Sequence, residues 1–254
     1  MSLPPIRRQV VVGAPAEIAF DVFTTEIGQW WPVGAGHSVY GAWAPATPEG
    51  TVAFRDGRVV EAGPDGTEAV WGTIVDWEPP HRFRMTWHPG HEPARASEVE
   101  VSFAPVTDDQ TLVTVEHRGW ETFADPAGAR DNYNSGWPAV LAGYADRVGP
   151  GKDGSGPVWL ALMHTPGPAV SAPTEVFAHP DFGEHVAFLR RLGEAGVLVA
   201  AGPFPASGQG MAVLRLADPA AVGDYVRRAH EEDLSVVRGV LLVQVRPWHV
   251  LFTG

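Results

Sequence analysis

Ten residues, Val148-Gly149-Pro150-Gly151-Lys152-Asp153-Gly154-Ser155-Gly156-Pro157, constrain this chain more than any others. Seven are Gly, Pro or Ser, and only Val148 is apolar. Such a run cannot bury enough surface to offset its ordering entropy, so it predicts a flexible connector. It also holds Lys152, the single lysine of the sequence. On each side lies a stretch of domain length with its own strand and helix signals. The expected organisation is therefore two modules, residues 1–148 and 158–254, joined by residues 149–157.

Composition narrows the function classes. The 44% hydrophobic content suffices for two cores. Gly (29) and Pro (24) make the chain turn-rich, below the roughly 25–30% typical of low-complexity sequence. The absence of cysteine excludes disulfide and thiolate chemistry and fits a reducing compartment. Met1 to Arg8 lacks the apolar centre of a signal peptide, and no apolar run approaches the ~18 residues of a membrane span. A cytoplasmic protein with no membrane partner is expected. The formal charge is −12, concentrated in residues 1–148, where 10 Arg face 20 Asp and Glu. That field opposes binding to phosphate backbones, and no basic stripe offsets it, so no nucleic-acid partner is expected.

In the first module Arg7–Gly13 reads as a strand. Pro15 and Glu17 open a helix with Ile18, Phe20, Val22 and Phe23 on its apolar side. A second short helix carries Gly28-Gln29-Trp30-Trp31. From there the hydrophobic period is two. Arg55-Asp56-Gly57-Arg58 predicts a hairpin between Thr51–Phe54 and Val59–Ala62, and Pro64-Asp65-Gly66-Thr67 the next turn. Ala69, Trp71, Thr73, Val75 and Trp77 are expected on one face of a strand. Phe83, Met85 and Trp87, then Val99, Val101 and Phe103, then Val113, Val115 and His117 continue the alternation, which predicts an antiparallel sheet with one wet face. A helix capped by Ser135, with Pro138 in its first turn, presents Trp137, Val140, Leu141 and Tyr144 as one stripe.

Taken in order, Gly28-Gln29-Trp30-Trp31, Val70-Trp71-Gly72, Glu78-Pro79-Pro80, His117-Arg118-Gly119-Trp120 and Gly136-Trp137 resemble the START-like (SRPBCC) superfamily over residues 5–148. Within it they resemble the branch named after the activator of a heat-shock-protein ATPase. The resemblance implies a helix-grip fold, a curved antiparallel sheet around a long helix, often enclosing a cavity. Members bind apolar small molecules, cyclise polyketide chains or act as chaperone cofactors, and no shared catalytic set carries over.

The residues themselves point toward a cavity. Eight of the ten tryptophans lie in this module. Trp71, Trp87 and Trp137 fall on inward faces together with Met85 and Tyr144, and His117 is a polar group on the same side. Aromatic walls with a few polar groups suit a small apolar ligand, though the same residues also suit a filled core. His37, after Gly34-Ala35-Gly36, is expected at the mouth. His88-Pro89-Gly90-His91, near His81, reads as a solvated turn, and no metal site is expected.

The second module reads β-α-β-β-α-β, the ferredoxin-like order. Strands are expected over Val158–His164, Val197–Ala201, Gly210–Leu216 and Val237–Val245. Helices are expected over Asp181–Ala195, with Phe182, His185, Leu189 and Leu192 along one side, and from Asp218-Pro219 to His230. His185, Glu194-Ala195-Gly196, Gly202-Pro203, Asp233 and Arg246-Pro247-Trp248 resemble the YciI-like (YCII-related) family over residues 158–249. The resemblance implies a homodimer and a His–Asp pair. Asp233 stands here before Leu234 instead of the family's usual proline. At about 100° per residue, Glu194 lies half a turn from His185 on one helix, so Asp233, which the resemblance supplies, is the better partner of His185. A carboxylate there would orient the imidazole for general-base work. The other use of His185, on an apolar stripe, is core packing.

The fold class expected is thus α+β twice over, helix-grip then ferredoxin-like. The expected function is binding of a small apolar ligand in the first module, with Trp71, Met85, Trp87, His117, Trp137 and Tyr144 as ligand-binding residues. The second module would serve dimerisation or an accessory role, and no cofactor is expected. Two other classes stand beside this one: a chaperone-associated interaction protein, and a hydrolase or lyase using His185 and Asp233 as catalytic residues.

Overall fold

A computed structural model describes residues 3–41, 52–63, 65–149, 156–205 and 207–252. The chain divides into two compact units, residues 1–104 with 109–151 and residues 152–254 with 105–108. Residues 150–155 of the expected connector, together with Thr51 and Pro64 of the expected strand and turn, lie outside the described residues.

The first unit is built on strands β1 (Ile6–Val12), β2 (Val52–Arg55), β3 (Arg58–Ala62), β4 (Glu68–Glu78), β5 (Arg82–Trp87), β6 (Ser97–Thr107) and β7 (Gln110–Arg118). They form one antiparallel sheet in the order β1-β7-β6-β5-β4-β3-β2. Helices α1 (Ala16–Thr25) and α2 (Ile27–Trp30) leave β1, and the long α3 (Pro126–Val148) follows β7 and lies against β1, α1 and α2. This large sheet with its helices is consistent with a helix-grip fold. The β2–β3 hairpin turns at Asp56 (φ 51°) and Gly57 (φ 70°), both in the left-handed region that a tight two-residue turn requires.

Period-two reading holds in β5 and β6, whereas in β7 the opposite-face Leu112 and Thr114 are buried too. Phe83, Met85, Trp87, Val99, Val101, Phe103, Val113, Val115 and His117 are all buried. The opposite face is wet and charged: Arg84 pairs with Glu98 at 3.1 Å, Arg7 with Glu116 at 2.7 Å and Arg118 with Glu116 at 3.2 Å. In β4 the single expected face does not form. Pairing with β3 shifts between Val59 and Val60, and pairing with β5 shifts between Ile74 and Asp76. Each irregularity adds a residue on the β4 side and resets which side chains point inward. Trp71 is buried, whereas Thr73, Val75 and Trp77, expected on its face, are exposed. Trp77 still meets Phe20 edge-on at 5.0 Å.

The α3 helix starts nine residues before the expected cap. Asp125 caps it by accepting from the Gly128 N–H at 3.0 Å, and Pro126 occupies the first turn. Ser135 is not a cap but donates back to the Asp131 carbonyl at 2.6 Å. Pro138 therefore sits inside the helix, where it cannot donate to the Asn134 carbonyl. Arg8 covers that end: its guanidinium lies 3.4 Å from this carbonyl and 2.8 Å from the Asn134 side-chain oxygen. A buried stripe of Trp137, Val140, Leu141 and Tyr144 faces the core as expected.

The second unit contains β8 (Val158–Pro166), α4 (Phe182–Glu194), β9 (Leu198–Pro203), β10 (Gly210–Leu216), α5 (Val222–Glu231), α6 (Leu234–Val237) and β11 (Leu241–Pro247). Its sheet runs β11-β8-β10-β9, and each adjacent pair is antiparallel. The last strand begins four residues later than expected. Asp233 caps α6 through the Ser235 N–H at 3.1 Å, and Gly239 (φ 74°) makes the turn into β11, so Val237 is helical. Leu160, Leu162, Phe188, Leu192, Leu214, Val226 and Val245 are fully buried. Among the described residues no helix is long and apolar enough to cross a membrane.

Candidate functional sites

In the first unit the helices and the inner face of the sheet leave a cavity of about 500 Å³, within the size range of small-molecule sites. Five large aromatic residues line it: Trp31, Trp71, Trp87, Tyr133 and Trp137. His37, Ser38, His91 and Asn132 supply polar atoms. Trp31 meets Trp71 at 5.1 Å and Trp87 at 5.8 Å between ring centroids, so the indoles brace one another. Burial lowers the His37 pKa below the ordinary histidine value, and burial pushes the Tyr133 hydroxyl up to about 12. Both groups therefore favour their neutral forms near pH 7 and can hydrogen-bond a ligand without presenting a charge.

The Ser38–Val39 edge of this cavity is fixed from behind by Glu61. This carboxylate is fully buried and accepts from Ser38 Oγ, from the Val39 N–H at 3.0 Å and from Trp71 Nε1 at 3.1 Å. Glu61 lies two residues after buried Val59 on β3, so plain alternation already places it inward as a polar member of an apolar face.

Of the six residues expected to bind ligand, Trp71, Trp87 and Trp137 line the cavity. Met85, His117 and Tyr144 are buried in the core instead. Tyr144 donates to the Ala19 carbonyl at 2.8 Å. His117 has both ring nitrogens engaged. Trp137 Nε1–H donates to Nδ1 at 3.2 Å, and Nε2 lies 2.7 Å from Ser97 Oγ, whose hydroxyl donates to the Trp87 carbonyl at 3.0 Å. The Ser97 proton is thus committed, so His117 Nε2–H is the donor and the ring is the neutral Nε2–H tautomer. Burial lowers its pKa to about 3. The turn at 88–91 is not simply solvated: His88 is buried and its Nδ1 lies 3.1 Å from the His91 carbonyl. Trp31, Tyr133 and Asn132 were not singled out as lining from sequence. The twenty-three-residue length of α3 brings Asn132 and Tyr133 to the site, and the late helix start expected at Ser135 hid them.

In the second unit His185, near the start of α4, places Nδ1 2.6 Å from Asp233 Oδ2. The pair is buried, with His185 8% exposed and Asp233 0%. Asp233 serves two purposes, since its other oxygen caps α6 through Ser235. Ser235 Oγ in turn accepts from the His185 N–H at 3.1 Å and donates to the Asp181 carbonyl at 2.6 Å, which locks the start of α4 against α6. Gly202 and Pro203 lie on β9 and are exposed. A third group, missed in the sequence, joins the pair: His164 of β8 stacks edge-on with His185, ring centroids 4.6 Å apart. The alternation Val158, Leu160, Leu162, His164 marks it as an inward position held by a polar side chain.

A family profile described as Activator of Hsp90 ATPase homolog 1-like protein matches residues 13–148. No curated protein matches the chain. Among solved structures, the anthrahydroquino-gamma-pyrone synthase Txn09 is 33% identical, with 57% of this chain and 97% of that one covered at a TM-score of 0.39. The self-sacrificing resistance protein CalC from Micromonospora echinospora is 25% identical, with 57% and 94% covered at 0.42. The Aha1 dimer from Colwellia psychrerythraea is 14% identical, with 57% and 96% covered at 0.40. The profile accounts for more than half of the sequence, and through residues 13–148 the chain belongs to the family of Activator of Hsp90 ATPase homolog 1-like proteins.

Proposed function

We propose that the first unit binds a small, largely apolar and aromatic molecule in the cavity walled by Trp31, Trp71, Trp87 and Trp137. The observation that carries this reading is the cavity itself, about 500 Å³ with neutral polar groups at His37, Ser38 and Asn132. A planar ligand stacks on indole faces, while a polar substituent meets the neutral donors and acceptors. Titrating the full chain with an apolar naphthalene fluorophore should quench tryptophan emission saturably, with micromolar affinity. Trp87→Glu, which puts a charge in the wall, should abolish it. Equal binding by both proteins would move the probe elsewhere and sink the reading.

The second unit is proposed to be a ferredoxin-like, YciI-like module that dimerises and serves the first. Support comes from the β-α-β-β-α-β order and from a sheet in which the first strand lies between the last and the third. A second reading, His-dependent hydrolase or lyase chemistry, is favoured by the buried His185–Asp233 pair at 2.6 Å. A chaperone-associated role remains the competing proposal for the chain as a whole. Sedimentation of the full chain reads the dimer directly: a monomer at tens of micromolar would remove the dimerisation role.

A further inference from the structure

We infer that His164, His185 and Asp233 form a binding site for one divalent transition-metal ion of the zinc class. One donor atom from each of the three residues lies within 4.8 Å of the others, and all three residues are buried. Two come from rigid elements, His164 from β8 and His185 from α4, and Asp233 is the fixed cap of α6.

The donor atoms are prepared for a cation. His164 is 3% exposed, and its Nε2 has no hydrogen-bond partner. The ring packs edge-on against His185, which sets this unpartnered nitrogen's ring beside the His185–Asp233 pair. Asp233 is oriented too, since the Ser235 N–H holds Oδ1 at 3.1 Å and leaves Oδ2 for His185 Nδ1.

The 2.6 Å separation of Nδ1 and Oδ2 is that of a hydrogen bond. An ion entering here takes the place of the proton between them and widens that separation to about 3 Å, as bonds near 2.0–2.2 Å require. The displaced proton moves to Nε2 of the same ring, which stays a neutral ligand. Two imidazoles and one carboxylate suit zinc, cobalt, nickel or ferrous iron over magnesium or calcium, which favour oxygen sets. Three protein ligands leave a fourth position open for water. This goes beyond reading the pair as a proton-transfer centre, because a metal and a proton cannot occupy the same His185 nitrogen together.

The test uses the full chain, stripped with a chelator and titrated with Zn²⁺ against a chromophoric competitor. One Zn²⁺ per chain is expected. His164→Ala and Asp233→Ala should each weaken binding at least about tenfold, while His81→Ala, in the turn before β5, should leave it unchanged. Because either site variant could lose its fold, Co²⁺ is added to the unaltered protein as well. Its proton spectrum should show hyperfine-shifted, exchangeable imidazole N–H signals from two coordinated histidines. Absence of those signals, or folded His164→Ala binding Zn²⁺ as tightly as the unaltered chain, would overturn the site. The proton-transfer reading has a separate signature, activity without metal that is lost in His185→Ala, so the two can fail independently.

Discussion

Trp137 of α3 donates its indole N–H to Nδ1 of His117 on β7 across 3.2 Å, entirely inside the first unit. The bond ties the long helix to the sheet, and the chain of bonds runs on through Ser97 of β6 to the Trp87 carbonyl of β5. One face of Trp137 therefore walls the cavity while its polar edge is spent on structure. That division explains how a cavity-lining residue can be held still without a ligand.

Replacing this tryptophan by phenylalanine keeps an aromatic wall but strands the His117 acceptor. Trp137→Phe should lower stability by about 1–3 kcal/mol, the cost of a buried polar atom left unpaired. Urea unfolding would show this as an earlier midpoint at unchanged slope. A loss within about 0.5 kcal/mol would mean that the bond contributes only geometry.

The same network sets a pH dependence. The folded pKa of His117, about 3, lies below the unfolded value of about 6.5. Between these values the unfolded chain binds a proton that the folded chain excludes. The contribution of His117 is therefore complete above about pH 6.5 and is lost as pH falls toward 3. Relative to His117→Gln, the unaltered chain should lose up to about 1.4 kcal/mol more per pH unit in that window. Parallel pH curves for the two proteins would show that the ring protonates without cost in the folded state.

Gly72 makes a separate prediction about the irregular strand. A Cβ there would meet the Thr86 carbonyl oxygen at 1.9 Å, so β4 and β5 can approach only with glycine at this position. Gly72→Ala should destabilise by about 1–3 kcal/mol or more. Gly193→Ala is the contrasting case. This helical glycine of α4 has nothing within 4 Å of its would-be Cβ, so the change should stabilise by about 0.4–1 kcal/mol. Thermal unfolding of the two variants should bracket the parent, and Gly72→Ala melting at or above it would contradict the close approach.

Much of this was legible from side-chain period and much was not. Alternation tells which side of a sheet a residue faces, so Phe83, Met85, Trp87 and His117 were placed inward correctly. It does not tell depth, and a cavity wall and a core have the same period. Trp87 therefore lines the cavity while Met85, on the same strand and face, does not. Register shifts leave no mark on composition, which is why Val75 and Trp77 were expected inside. The closeness of His185 and Asp233 was implied by the YciI-like resemblance, with helix geometry disfavouring Glu194 as the alternative. His164 was visible as the polar member of an apolar alternation, but only the fold brings β8 beside α4.

Glu61 gives the most discriminating test of the cavity's edge. Its carboxylate is fully buried and is satisfied by the Ser38 hydroxyl, the Val39 N–H and the Trp71 indole. Oε2 accepts two of these bonds, while Oε1 faces only Ser38. A glutamine can keep its carbonyl oxygen at the Oε2 position and present its amide to Ser38, whose hydroxyl can turn and accept. Glu61→Gln should therefore stay within about 1 kcal/mol of the parent, because losing a buried charge offsets the weaker bonds. Methionine has nearly the same length and no acceptor of comparable strength. Glu61→Met strands up to three donors at roughly 1–3 kcal/mol each, so a loss of about 3 kcal/mol or more is expected. It should also weaken binding of the apolar probe, since Ser38 and Val39 line the cavity and lose their anchor. The ordering is the critical readout. If Glu61→Met proved as stable as Glu61→Gln and bound the probe equally well, the carboxylate would not be what holds this edge of the site.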